Sequence, residues 1–149
     1  MERHGFEVRL DHRGGYEFTV EFPDTELPAL RVDEAPPIGD GLGPNPARCL
    51  AVAVGHCLSA SLLFCLRRAH LAPRGLRTTV RGTLVRNEEG RLRVGGLDVT
   101  LEPDLDPKDR RRLAACLDVF EQYCVVTQSV RGGIPVSVQV PSVAEGAEG

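Results

Sequence analysis

The segment from Asn45 to Arg68, Asn-Pro-Ala-Arg-Cys-Leu-Ala-Val-Ala-Val-Gly-His-Cys-Leu-Ser-Ala-Ser-Leu-Leu-Phe-Cys-Leu-Arg-Arg, constrains the fold more than any other part of the chain. It reads as one long helix. Asn45 suits the N-cap, where its side chain can accept an orphan backbone N–H, and Pro46 suits the first helical position, where a missing N–H costs nothing. Arg67, Arg68 and His70 put positive charge at the end where the last carbonyls carry partial negative charge. Between these ends there is no polar stripe. Leu50, Val54, Cys57 and Ser61 lie on one side and Cys49, Ala53, His56, Ala60 and Leu63 on another, so the helix needs cover on most of its circumference.

A membrane or a protein core could provide that cover. Cys49 to Leu66 is about as long as the ~18 residues at which a spanning helix becomes possible. It carries Gly55, His56, Ser59 and Ser61, however, it is the only such run, and the chain around it alternates like the strands of a soluble sheet. A central helix in a protein core is the better reading. A single chain of 149 residues has little sheet with which to wrap it, so a second subunit is expected to complete the cover.

Before the helix, Phe6, Val8 and Leu10, then Tyr16, Phe18, Val20 and Phe22, alternate with polar residues, the period of half-buried strands. His12-Arg13-Gly14-Gly15 turns them into a hairpin, and Leu30 and Val32 suggest a third short strand. Half of the residues from Asp33 to Pro46 are glycine or proline, so an ordered loop leads into the helix. After it, strands are expected over Arg77 to Arg86 and from Leu92, joined at Asn87-Glu88-Glu89-Gly90. The apolar phase of the second changes across Gly95-Gly96, which predicts a bulge there. Asp106-Pro107 opens a second helix with Leu113, Cys116, Leu117 and Phe120 on its apolar face. A short turn or helix over Val126 to Val130 and a final alternating strand, Ile134, Val136, Val138 and Val140, complete the order. The class is therefore α+β, a single domain over residues 1–141, with residues 142–149 expected to be a frayed tail.

Net charge is −3, and the Arg110-Arg111-Arg112 cluster lies beside Asp104, Asp106 and Asp109 with no interleaved aromatics. It reads as a solvated helix face, and neither nucleic acid nor a membrane is expected as a partner. The N-terminal residues have no apolar signal core, and the five cysteines lack the short spacings of a secreted disulfide scaffold. A cytoplasmic protein with reduced thiols is the expectation. Cys49, Cys57 and Cys65 stand eight apart, two helical turns, too far for one ion with bonds of ~2.3 Å, and no Cys-x-x-Cys pair occurs, so neither a metal site nor a cofactor is expected. Any single cysteine here is more readily explained as a small buried hydrophobe than as a reactive thiol.

The loop and helix Val32-Asp33-Glu34-Ala35-Pro36-Pro37-Ile38-Gly39, Gly43-Pro44-Asn45-Pro46 and Ala53-Val54-Gly55-His56-Cys57-Leu58, followed by Cys124-Val125-Val126-Thr127-Gln128-Ser129-Val130-Arg131-Gly132-Gly133-Ile134-Pro135-Val136, resemble the OsmC/Ohr family over nearly the whole chain. The resemblance implies an intertwined homodimer, with central helices enclosed by antiparallel sheets from both subunits. It further implies that Cys57 attacks an organic hydroperoxide, that Cys124 resolves the product as a disulfide, and that Arg13 of the N-terminal hairpin holds the Cys57 thiolate. An unidentified thiol reductant would close the cycle. Cys49, Cys65 and Cys116 are left as packing residues.

The chain departs from the family pattern at the glutamate that directly follows Asn-Pro in the peroxidases and orients the arginine. That position is Ala47, followed by Arg48 and Cys49 in place of the usual polar and apolar pair. The proline that often follows the second cysteine is Val125. Either Glu34 supplies the carboxylate or the peroxidase chemistry is weakened. The alternative function is a non-catalytic dimer that binds a small hydrophobic ligand near Cys57 or senses oxidants through the thiol pair.

Overall fold

The computed structural model describes residues 3–141; the segment 142–149, expected to fray, lies outside the described residues. The elements follow the expected α+β order. Strands β1 (Arg9–Gly14), β2 (Glu17–Glu21) and β3 (Leu30–Val32) form one antiparallel sheet, and β4 (Leu76–Arg86) and β5 (Leu92–Pro103) form a second. Helix α1 (Pro46–Arg68) lies between them in sequence. After β5 come a 3₁₀ turn (Pro107–Asp109), α2 (Arg110–Leu117), a second 3₁₀ turn (Phe120–Tyr123) and α3 (Val125–Gly132).

Helix α1 starts where its capping residues place it. Asn45 Oδ1 accepts the Arg48 N–H at 2.9 Å, and Pro46 occupies the first turn. One stripe, Val54, Gly55, Leu58, Leu62 and Leu66, is buried. Gly55 is required at the crossing with β4, because a Cβ there would sit 2.7 Å from Val80 Cγ2. One turn later Ser59 Oγ bonds the Gly55 carbonyl and Thr78 Oγ1, both at 2.6 Å, which satisfies a hydroxyl on an otherwise apolar face. In the β4–β5 ladder Thr83 faces Gly96 and Leu84 faces Val94, leaving Gly95 as the extra residue of the expected bulge.

Cover is incomplete within one chain. Val52 and Phe64 of α1 are 66% and 61% exposed, whereas the expectation was burial on most sides. The helix packs on β4, β5, α2, α3 and the 3₁₀ turn before α3, whereas the β1–β2–β3 sheet borders only its first turn, at Pro46 and Cys49. That sheet has an open apolar hollow formed by Val8, Leu10, Phe18, Val20 and Val32. By length and composition alone α1 could cross a membrane. Its packing against five elements of the same chain is that of a core helix instead.

The final strand expected over Ile134 to Val140 is not formed. These residues follow α3 without a β-ladder, and Val136 and Val138 are more than four-fifths exposed. Alternation makes a segment fit for a sheet, but a strand exists only where a neighbouring edge supplies its hydrogen bonds, and among the described residues none does.

The loop into α1 is held by the buried Asp33. Its Oδ1 accepts the Glu34 N–H at 2.8 Å and its Oδ2 accepts Asp40 and Leu42 N–H at 3.2 and 3.1 Å. The Leu42 N–H above all, with those of Glu34 and Asp40, holds the carboxyl below its ordinary pKa against the opposing effect of burial. A carboxyl with a depressed pKa contributes stability above the unfolded value of about 3.9, and that contribution is lost as pH falls through the folded value. Asp33→Asn should therefore lower the melting temperature at pH 7, and the difference from wild type should shrink as pH falls below 4. Thermal melts at a series of pH values check this; a constant difference would exclude the carboxylate as its source.

Candidate functional site: a thiol pair between α1 and α3

Cys57 sits in the middle of α1 on the side that meets α3, and Cys124 is the residue from which α3 starts. The chain around Cys124 is one frame. The Gln128 N–H donates to the Cys124 carbonyl at 3.1 Å, Gln128 Nε2 to the Glu121 carbonyl at 2.9 Å, and Arg131 Nη2 to Glu121 Oε1 at 2.8 Å. The preceding 3₁₀ turn and α3 are thus held against each other, with Phe120 buried beneath. Packing this frame on α1 brings the Val126 N–H to 3.4 Å from Cys57 Sγ and the two thiols into hydrogen-bond contact.

The two sulfurs differ in environment. Cys57 is half-buried, whereas Cys124 is 0% exposed, so a reagent from solvent has access to Cys57 and not to Cys124. Cys124 Sγ donates to Thr127 Oγ1 at 3.0 Å, and Ser61, one turn beyond Cys57 on α1, also faces it. Both hydroxyls can turn and donate once that sulfur is a thiolate. Burial pushes the Cys57 thiol up, and its hydrogen bond to Cys124 adds to this; the Val126 N–H only partly offsets them. For Cys124 burial, the largest single influence, also acts upward, but hydrogen bonds from Cys57, Thr127 and Ser61 outweigh it and bring the thiol below its ordinary value. The two thiols titrate as a pair, and the opposite directions of their shifts make Cys124 the more acidic member within one chain.

Of the other residues singled out from the sequence, Arg13 lies at the exposed end of β1, where its Nε donates to Thr19 Oγ1 at 2.7 Å. Glu34 lines the hollow of the β1–β2–β3 sheet together with Cys49. The single chain brings neither to Cys57. Ala47 is in the first turn of α1, in a groove with Arg48, Val80 and Leu84. Thr127 and Ser61 were not identified from the sequence. Their signal was available only in part: Thr127 follows Cys124 by three residues, the interval of one helical turn, but nothing marks Ser61 as facing a residue 63 positions away.

Beside the thiols lies a cavity of about 500 Å³ with Leu58, Leu97, Val99 and Val130 among its walls, Thr127 on its floor and the Glu121–Arg131 ion pair at its edge. The expectation that every cysteine is reduced requires correction. Cys65 and Cys116 are joined as a disulfide, with Cα atoms 5.7 Å apart, while Cys49, Cys57 and Cys124 are free. Cys65 leaves α1 toward α2 near its C-terminal end, and Cys116 is the buried residue of α2. Two residues read as packing hydrophobes thus face each other across a helix contact.

A half-buried thiol backed by a buried one, on a helix laid against an antiparallel hairpin, defines a thiol-pair protein of α+β architecture. The OsmC-like protein family model matches residues 39–139, and the chain belongs to this family. No curated protein sequence matches. Solved structures do: an OsmC-like protein from Mycoplasma pneumoniae (13% identity, 88% of this chain and 90% of that one, TM-score 0.69). The organic hydroperoxide resistance protein OhrB of Bacillus subtilis aligns at 18% identity over 87% of this chain and 93% of its own, with TM-score 0.62. An organic hydroperoxide resistance protein from Legionella pneumophila aligns at 20% identity over 89% and 93%, with TM-score 0.59. At these identities the likeness establishes the fold, OsmC-like and α+β.

The coupling of the two thiols predicts a specific pH response. Cys124→Ala removes the acceptor that raises the Cys57 pKa, so the pH midpoint for Cys57 alkylation by iodoacetamide should move down. Burial alone would then keep it above that of a free cysteine. An unchanged midpoint would mean that the two thiols titrate independently.

Proposed function

We propose that the chain is a cytoplasmic, thiol-dependent peroxidase of organic hydroperoxides that works as a homodimer. The observation that carries this reading is the pairing of a solvent-reachable sulfur, Cys57, with a buried sulfur, Cys124, held beside it. The substrate class follows from the structural relatives in B. subtilis and L. pneumophila, which are organic hydroperoxide resistance proteins.

The step balances with these residues alone. The Cys57 thiolate attacks one peroxide oxygen, the O–O bond breaks, and the alkoxide leaves as the alcohol after taking a proton. Cys57 is then a sulfenic acid. Cys124, favoured as a thiolate by Thr127 and Ser61, attacks the Cys57 sulfur, and the hydroxide leaves as water. The resulting Cys57–Cys124 disulfide is returned to two thiols by an external thiol reductant, which is itself oxidised to a disulfide.

Among the described residues no cation acts on Cys57 from its own chain, and here the incomplete cover of α1 bears on function. The apolar hollow of the β1–β2–β3 sheet, the exposed Val52 and Phe64 and the unpaired extended segment after α3 are complementary needs. A second copy satisfies them by laying its N-terminal sheet over this subunit's α1. In that arrangement Arg13 of one subunit serves Cys57 of the other, and Glu34 or an introduced carboxylate at Ala47 orients it. The cavity beside the thiols favours a second reading, binding of a small apolar ligand without turnover.

One equivalent of cumene hydroperoxide should yield the Cys57–Cys124 bridge within one chain, detected by peptide mapping. Arg13→Ala should slow Cys57 oxidation at pH 7 by about tenfold or more, the effect of losing a neighbouring opposite charge that shifts a pKa by about one to three units. Ala47→Glu should accelerate it unless Glu34 already supplies the carboxylate, in which case Glu34→Gln slows it. Stopped-flow oxidation rates distinguish these outcomes. Cys57 oxidised to sulfinic acid beside a reduced Cys124 would remove Cys124 from the mechanism, and no peroxide consumption at all would favour the ligand-binding reading.

A further inference from the structure

The five cysteines include two pairs in a regular arrangement. Cys57 and Cys65 are eight residues apart on α1, and Cys116 and Cys124 are eight residues apart on the segment that runs back along it. Cys57 meets Cys124 and Cys65 meets Cys116, so the segment from α2 to α3 crosses α1 at two sulfur contacts, about 12 Å apart along the helix axis. The first contact is the open thiol pair described above. The second is closed.

We propose that Cys65 and Cys116 form a second, regulatory thiol–disulfide site, a clasp that responds to small-molecule disulfides and thiols and controls whether Cys124 is presented to Cys57. Three observations carry the proposal. Cys116 is the single fully buried residue of α2, a helix only eight residues long, and its bond to Cys65 is the covalent one of three anchors, the others being Leu113 packed on the core and Arg112 Nη2 donating to the Ala69 carbonyl. The segment that follows α2 leads within eight residues to Cys124, and it includes Phe120, which belongs to the same buried cluster. Cys65 is partly exposed, so its sulfur is the one open to attack from solvent, whereas Cys116 is 2% exposed.

Closure is a pair of exchange steps. The Cys65 thiolate attacks one sulfur of a small disulfide such as oxidised glutathione, the S–S bond breaks, and one thiolate leaves. The Cys116 thiolate then attacks Cys65 and releases the second, so one small disulfide is reduced to two thiols as the clasp is oxidised. Reduced glutathione reverses both steps. In the closed state the segment between α2 and α3 is fixed on α1 and Cys124 stays covered. In the open state α2 keeps little apolar anchorage and Cys124 becomes accessible. Cys65 and Cys116 are positioning residues for the thiol pair and touch no substrate. Their effect on peroxide chemistry rests on the peroxidase reading; the clasp itself does not.

The test uses Cys57→Ser, in which Cys124 has no disulfide partner, equilibrated in glutathione buffers from fully reduced to fully oxidised. The rate of Cys124 alkylation by iodoacetamide is read by mass spectrometry. It should fall several-fold as Cys65–Cys116 closes, and the same series in Cys57→Ser/Cys65→Ser, checked for folding by circular dichroism, should show no dependence on the glutathione ratio. A Cys124 alkylation rate independent of that ratio in Cys57→Ser, or Cys65 and Cys116 remaining thiols in oxidised glutathione, would overturn the proposal. In a second arm with Cys57 present, Cys65→Ser should form Cys57 sulfinic acid several-fold more often than wild type while reacting at the same initial rate; an unchanged partition would contradict the regulatory role. Failure of wild type to form the Cys57–Cys124 bridge would instead refute the peroxidase reading, and the alkylation arm would still decide the clasp.

Discussion

Helix α1 presents apolar side chains around its circumference, and one copy of the chain covers only part of it. The buried stripe from Val54 to Leu66 faces β4, β5 and the α2–α3 segment, while Val52 and Phe64 remain open. Leaving so much apolar surface in water is costly at roughly 25 cal/mol per Å². The N-terminal sheet has the matching problem, with an open apolar hollow that only the first turn of α1, at Pro46 and Cys49, borders. In the proposed dimer, mutual cover by two copies would resolve both, and it would also give the unpaired residues after α3 an edge to pair with. On that proposal architecture and chemistry would have one cause, because Arg13, the cation assigned to Cys57, lies on the element that the second copy would contribute.

The site divides its work between two unlike sulfurs. Cys57 is reachable, but burial and its hydrogen bond to Cys124 push its thiol up. Cys124 is unreachable from solvent but is favoured as an anion by Cys57, Thr127 and Ser61. This asymmetry suits a buried sulfur that waits to attack its neighbour, and it leaves Cys57 dependent on a cation for activation. Without that cation the pair would still accept oxidation, slowly, which is the behaviour of a sensor or a binding protein. On the proposed reading, the difference between an enzyme and a passive pocket would rest on Arg13 and whatever orients it.

Local signals carried most of the fold. Asn45 and Pro46 marked the start of α1, alternation marked the strands of the N-terminal sheet, and the phase change at Gly95-Gly96 marked the bulge opposite Thr83 and Leu84. Each is set by neighbours in sequence. The alternation from Ile134 to Val140 was real but did not produce a strand, since a β-ladder needs a second edge that no local pattern reveals. At the site, Cys57 and Cys124 were identified through a family likeness, but Ser61 and Thr127 were not, because their role depends on how α3 docks on α1. The Cys65–Cys116 bond was missed for the same reason: cysteines 51 residues apart carry no sign of their pairing.

Complementation between subunits tests the central claim most directly. Arg13→Ala and Cys57→Ser chains, each defective, are co-expressed so that mixed dimers form, and their hydroperoxide consumption is measured with a dithiol reductant. If Arg13 acts across the dimer, the mixed species contains one complete site, Cys57 from the first chain and Arg13 from the second, and activity well above either homodimer is restored. If Arg13 acts within its own chain, no mixed dimer holds a complete site. Activity no greater than that of the Arg13→Ala protein would then contradict the account.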